Sequence, residues 1–275
     1  MYNVKVIEYP KSYQVRLYYN ELLENGDDRN VRINRFTGEI VEKKKNGFPV
    51  GEWVPVDVEF EEVGRVNEEE YLLHASNRAK NMVYYLARSN VWEYFVTLTL
   101  NGEKIDRYNF DEVSKKVRKW FNNIRTCKAK ELYYLIVPEM HKDGAWHFHA
   151  LIGGCAGLSF VDSGKRDKSG KVIYNFEDWK FGFSTATMVE DTERVSSYIC
   201  KYITKTMLEN TKGKNRYWAS KNCRRAESST YLVNGMDFKE FRLELLGKMS
   251  WKKKVFTEFN EVEYFEIPKE VEGDE

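Results

Sequence analysis

Apolar residues recur along the chain at two spacings, every second position in some stretches and every third or fourth in others. Tyr13-Gln14-Val15-Arg16-Leu17-Tyr18-Tyr19 alternates and is rich in β-formers. With turn dipeptides at Thr37-Gly38 and Asn46-Gly47, it marks the first ~60 residues as a β-rich extension. Glu68 to Arg88 has helical spacing, with Tyr71, Leu72, Ala75, Ala79, Met82 and Leu86 on one stripe. Tyr94-Phe95-Val96-Thr97-Leu98-Thr99-Leu100 predicts a strand closed by Asn101-Gly102. Asp106 to Ile124 carries the clearest amphipathic stripe: Phe110, Val113, Val117, Phe121 and Ile124.

Leu132 to Pro138 and Trp146 to Ile152 read as two strands joined through His141-Lys142-Asp143-Gly144, a hairpin. Ser163 to Gly170 reads as a polar loop, Phe181 to Thr187 as a further strand, and Glu193 to Leu208 as one helix. Arg216 to Asn222 looks irregular and basic. From Met236 onward a short helix, aromatic strand pieces and a fraying acidic tail are expected. The order strand, helix, hairpin, strand, helix predicts an α+β fold, an antiparallel sheet with helices on one face. The expected division is an N-terminal β-rich extension with a helix over 1–90, a central domain over 91–225, and a C-terminal extension over 226–275.

A net charge of +1 says nothing by itself about nucleic acid, but its distribution does. Residues 115–130 carry seven bases and no acid, among them Lys115 and Lys119. Bases also dominate 194–225, where Arg216, Trp218 and Lys221 stand together. Charge with aromatic rings interleaved suits single-stranded DNA. Acids gather at 52–70 and 258–275. No apolar run is long enough to span a membrane, and the first residues carry no signal-peptide pattern, so a cytosolic protein is expected. Cys127, Cys155, Cys200 and Cys223 are too scattered for a zinc cluster or a disulfide framework.

Two patterns carry chemistry. In Trp146-His147-Phe148-His149, alternation on a strand turns both imidazoles to one face and Phe148 to the other. Paired neutral imidazoles suit a divalent cation. If the hairpin loop holds an odd number of residues, Glu139 sits opposite His147 and offers a carboxylate on the same face. Separately, Tyr198, Lys201, Tyr202 and Lys205 fall at i, i+3, i+4 and i+7, one stripe of a helix. A phenol ordinarily ionises near pH 10; neighbouring cations make its phenoxide easier to form. Thr97 and Thr99 share a strand face that can line the sheet beside a metal.

The order Phe-Val-Thr-Leu-Thr, His-Phe-His, Tyr-x-x-Lys-Tyr-x-x-Lys over roughly 92–220 resembles the HUH endonuclease superfamily, specifically replication initiator (Rep) proteins of small phages and rolling-circle plasmids. The resemblance implies a ferredoxin- or RRM-like sheet and use of Mg²⁺ or Mn²⁺. It implies His147, His149 and Glu139 as ligands, and Tyr198 or Tyr202, with a lean to Tyr202, as nucleophile. Lys201 and Lys205 would contact phosphate or phenoxide. The implied activity is to nick an origin, keep the 5′ end on tyrosine, and start rolling-circle replication in a bacterial cytosol. Gly164 to Val172 approaches a phosphate-binding loop but has Val172 where Ser or Thr should hold magnesium, so a host helicase is an expected partner. Two other readings stay open, a transposase- or relaxase-type nickase and a non-catalytic nucleic-acid-binding module.

Overall fold

The computed structural model describes residues 1–22, 31–33, 40–42, 68–211, 213–256 and 260–269. Thr37-Gly38, Asn46-Gly47, the acidic stretch up to residue 67 and the end of the acidic tail lie outside them. The elements in chain order are β1 (Tyr2–Glu8), β2 (Ser12–Leu22), β3 (Val31–Ile33), β4 (Ile40–Glu42), α1 (Glu68–Arg88), β5 (Tyr94–Thr99), α2 (Phe110–Cys127), β6 (Tyr133–Met140) and β7 (Trp146–Gly153). There follow β8 (Phe160–Arg166), β9 (Val172–Phe176), β10 (Ser184–Met188), α3 (Thr192–Ile199), a 3₁₀ turn (Cys200–Tyr202), α4 (Lys205–Asn210) and β11 (Trp218–Ala219). Last come β12 (Glu227–Tyr231), α5 (Gly235–Lys248), β13 (Trp251–Phe256) and β14 (Glu261–Pro268). The class is α+β, with two antiparallel sheets, N-terminal strands and several helices.

The chain forms two compact units. One comprises Met1–Ile7, Ser12–Arg65 and Ser228–Glu275; the other comprises Glu8–Lys11 and Val66–Glu227. The first unit joins the two ends of the chain, because β2 pairs with β14 from Tyr18↔Val262 to Ser12↔Pro268. Its five strands run β12-β1-β2-β14-β13. Leu245 of α5 closes a small core with Val4, Val15, Leu17 and Phe265. Helix α1, grouped by sequence with the N-terminal extension, belongs instead to the second unit.

The second unit holds a sheet in the order β11-β6-β7-β5-β10-β9-β8. Strand alternation gives it two unlike faces. On one, Phe148, Val96, Leu98 and Ile136 are wholly buried against Val113, Val117 and Phe121 of α2. Each such side chain contributes ~1.5–3 kcal/mol by leaving water. Asn109 caps α2, its side chain accepting from Glu112 N at 3.2 Å. The other face carries His147 and His149 and meets the 3₁₀ turn after α3. Helices therefore flank both faces, not one as expected: each face of β7 carries a side chain that needs cover.

Three local expectations change. Ser163–Arg166 continues β8 and pairs with β9; as an edge strand it needs no apolar alternation. Trp218 and Ala219 form a short strand on β6, opposite Ile136 and Leu135. The expected helix over 193–208 is broken: after the 3₁₀ turn, Thr204 is extended (ψ 162°) and its side chain caps α4 by accepting from Met207 N at 3.2 Å. Lys205 thus opens a new helix and does not extend the Tyr198–Tyr202 stripe.

Candidate active site

The site is built on three neighbouring strands whose register can be read across the sheet. Glu139, His147 and Thr99 form one row; Val137, His149, Thr97 and Thr185 form the next; Leu135, Leu151, Phe95 and Thr187 form the third. The hairpin loop 141–145 holds an odd number of residues, so Glu139 faces His147 as the spacing required. His141 N donates to Ala145 O at 2.9 Å, and Gly144 takes a φ of +83°, closing the loop in a left-handed conformation that glycine adopts without strain. At the far end of β5, Gly182 lets the incoming chain pass against the Thr99 carbonyl, where a side chain would not fit.

The polar groups on this face are paired with one another. Thr97 Oγ1 lies 3.2 Å from His149 Nδ1, and Thr99 Oγ1 lies 3.4 Å from His147 Nδ1. Glu139 reaches diagonally, its Oε2 2.6 Å from His149 Nε2. That hydrogen bond holds the Glu139 carboxyl below its usual range against an opposing burial effect. Burial lowers His149, and burial with the neighbouring His141 lowers His147 to about 4. Both imidazoles are therefore neutral near pH 7 beside an ionised carboxylate. The His141 ring stacks on His147 with centroids 3.8 Å apart.

The tyrosines arrive from the covering helix. Tyr202, in the 3₁₀ turn, lays its ring over His149 with centroids 3.5 Å apart and planes 16° from parallel. Its hydroxyl donates to Tyr198 Oη at 2.9 Å. Burial, then the bond to Tyr198 and the charge of Glu139, makes the Tyr202 phenol harder to ionise than usual. Tyr198 is the exposed member, and Lys201 Nζ stands 4.9 Å from its ring centre. Phe95 packs against His149, Tyr198 and Tyr202 together.

Among the described residues, no three His, Cys, Asp or Glu side chains stand as a ready-made metal cluster. The donor set nevertheless has the right chemistry, with two neutral imidazoles and one carboxylate on one sheet face. As found, His149 Nε2 and Glu139 Oε2 are spent on each other. A threonine hydroxyl both donates and accepts, so Thr97 can take the His149 proton on Nδ1 and leave Nε2 a free lone pair.

The structure gathers His147, His149, Glu139, Tyr198, Tyr202 and Lys201, but not the basic residues expected on DNA. Lys115 and Lys119 are exposed on α2, which covers the opposite sheet face. Trp218 is on that side too, against Phe110 and Phe148. Arg216 Nη1 donates to Ala75 O of α1 at 3.3 Å, and Lys221 is exposed. Sequence reasoning passed over His141, although two residues after Glu139 on one strand would have placed it beside the site.

With this geometry in hand, the comparison with known families is decisive. Residues 93–207 match the family described as Replication-associated protein ORF2. That segment belongs to the replication-associated family. The match spans all three strand rows and both tyrosines, and it supports a role in initiating rolling-circle replication. No curated protein and no solved structure matches the chain. Within the replication-associated segment and the other described residues, no helix is long and apolar enough to cross a membrane.

Proposed function

We propose that the larger unit is an HUH-type nickase that cuts one DNA strand at a replication origin and keeps the 5′ end on a tyrosine. The observation that supports this best is the stacking of Tyr202 on His149 with Tyr198 Oη within hydrogen-bond reach. A Mg²⁺ or Mn²⁺ bound by His147, His149 and Glu139 would polarise the scissile phosphate. The phenolic oxygen of Tyr202, or of Tyr198 in a second transfer, attacks phosphorus as the bond to the 3′ oxygen breaks. The phenol loses its proton and the departing 3′ oxygen gains one. Phosphodiester and phosphotyrosyl esters exchange without ATP, so the free 3′-hydroxyl can prime synthesis or reverse the cut. Lys201, beside the Tyr198 ring, contributes positive charge where phosphate would lie. Lys205 is retained as a phosphate contact from the start of α4.

Residues 164–172 run through the turn between β8 and β9 and lead into no helix, so strand separation is assigned to a host helicase in the bacterial cytosol. The test is a denaturing gel of protein incubated with Mn²⁺ and a single-stranded origin oligonucleotide. Wild type should yield a covalent adduct that EDTA prevents, and Tyr198→Phe/Tyr202→Phe should yield none. A double variant that nicks like wild type would sink the reading.

A further inference from the structure

Beside Tyr198 the histidine face of the sheet continues into a cleft of about 390 Å³. Phe95, Thr97, Thr185 and Thr187 form its floor, turned the same way as His149 by the β7–β5–β10 register. Arg194 and Tyr198 of α3 form one wall; Lys171 and Glu190 form the other. We propose that this cleft seats one unstacked nucleobase of the DNA strand beside the bond to be cut, and that the β8–β9 hairpin thereby sets sequence preference at a single position. The location next to the cut rests on the nicking function proposed above.

The volume lies in the ~300–1,000 Å³ range of small-ligand clefts, enough for a flipped-out base and too small for a duplex. Phe95 and Tyr198 offer aromatic surface for stacking. The rim is mixed in charge: Asp167, Glu190 and Asp191 stand beside Lys171 and Arg194. Three carboxylates would repel a bare anion, so the cleft does not suit a phosphate alone. They suit a neutral base edge, on which donors and acceptors alternate. The Lys171 Nζ–Glu190 Oε2 pair, at 2.6 Å, presents such a donor beside such an acceptor. Arg194 is exposed at the mouth, where the attached phosphate would emerge.

The hairpin tip is built to hold its shape. Asp167 Oδ1 accepts from Ser169 N, Ser169 Oγ and Lys171 N at 2.8, 2.7 and 2.9 Å, and Gly170 takes a φ of +86°. A wall fixed before binding loses little freedom on binding.

The test is selection of bound sequences from a randomised single-stranded DNA pool by the full chain, without cleavage. Wild type should show a base preference that Lys171→Ala/Glu190→Ala flattens at one position only, with affinity for the best sequence falling roughly tenfold. Thr187→Val, a milder change on the cleft floor, should weaken the same position alone. Sequencing of wild-type adducts should then put that position next to the cut. Pools identical position by position, or weakening spread evenly over all positions, would overturn the base seat. Because the selection needs no nicking, an absence of adducts would strike the nicking reading and leave the base seat to be judged on its own pools.

Discussion

The two faces of β7 differ by a single residue step and follow opposite rules. Phe148 and Ala150 point into an apolar layer against α2, where nothing needs a hydrogen bond. His147 and His149 point the other way, and every polar atom drawn under the tyrosines is matched by a threonine, a carboxylate or another ring. Burying imidazoles is tolerable only where partners accept or donate for them. One face is thus organised for cohesion, and the other spends cohesion on holding rings in register.

That contrast can be broken from either side. His149→Ala should abolish adduct formation, to the background of the double tyrosine variant, while the thermal midpoint changes little. Phe148→Ala should do the reverse in kind: a loss of about 3–5 kcal/mol of stability in denaturant unfolding, from a large cavity under α2. At a temperature where Phe148→Ala is still folded, its Mn²⁺-dependent nicking should persist. If the two substitutions had the same effect on stability and nicking, the division of labour between the faces would be wrong.

Much of this was readable in the sequence because the period of a strand is short and strict. Alternation alone put His147 and His149 together, and the odd loop put Glu139 opposite. The broken helix was not readable in the same way: 193–208 keeps helical spacing throughout, yet Thr204 caps a fresh start and removes Lys205 from the stripe. A cap residue competes with helix continuation, and spacing does not say which wins. The basic residues misled for another reason. A run of charge such as 115–130 marks an exposed helix face but not which side of the sheet the helix covers. The pairing of β2 with β14 joins residues more than two hundred positions apart, and no local signal announces it.

The companion sheet offers a third way to bury a polar group, by charge. Glu263 is fully buried, with Arg242 Nε at 2.6 Å and Lys252 Nζ at 2.7 Å. Burial raises its pKa, but the two cations outweigh burial and bring it to about 2. A carboxyl depressed in the folded state stabilises above its unfolded pKa and loses that contribution as pH falls toward the folded value. From about pH 4.5 down to about 2, stability should therefore fall by on the order of 2–3 kcal/mol through this group. Denaturant unfolding of wild type and Glu263→Gln should differ most at pH 7 and converge near pH 2. A constant difference across that window would mean the pair adds nothing to the folded state.

The smallest expected effect probes the link between the faces' two rules, at a residue that touches neither DNA nor the phenols. Thr97 Oγ1 is the only side-chain hydrogen-bond partner of His149 Nδ1 among the described residues. If it fixes the proton on Nδ1 when Nε2 is needed for metal, Thr97→Val should weaken Mn²⁺ binding by roughly 10–100-fold, the usual cost of losing such a support. The valine keeps the strand propensity and nearly the same volume, so the fold should stand. The discriminating readout is the split between metal and DNA: Mn²⁺ affinity by calorimetry should drop while affinity for single-stranded DNA measured in EDTA stays at the wild-type value. A parallel loss of both would make Thr97 a packing residue, and would leave the imidazole tautomer set by Glu139 alone.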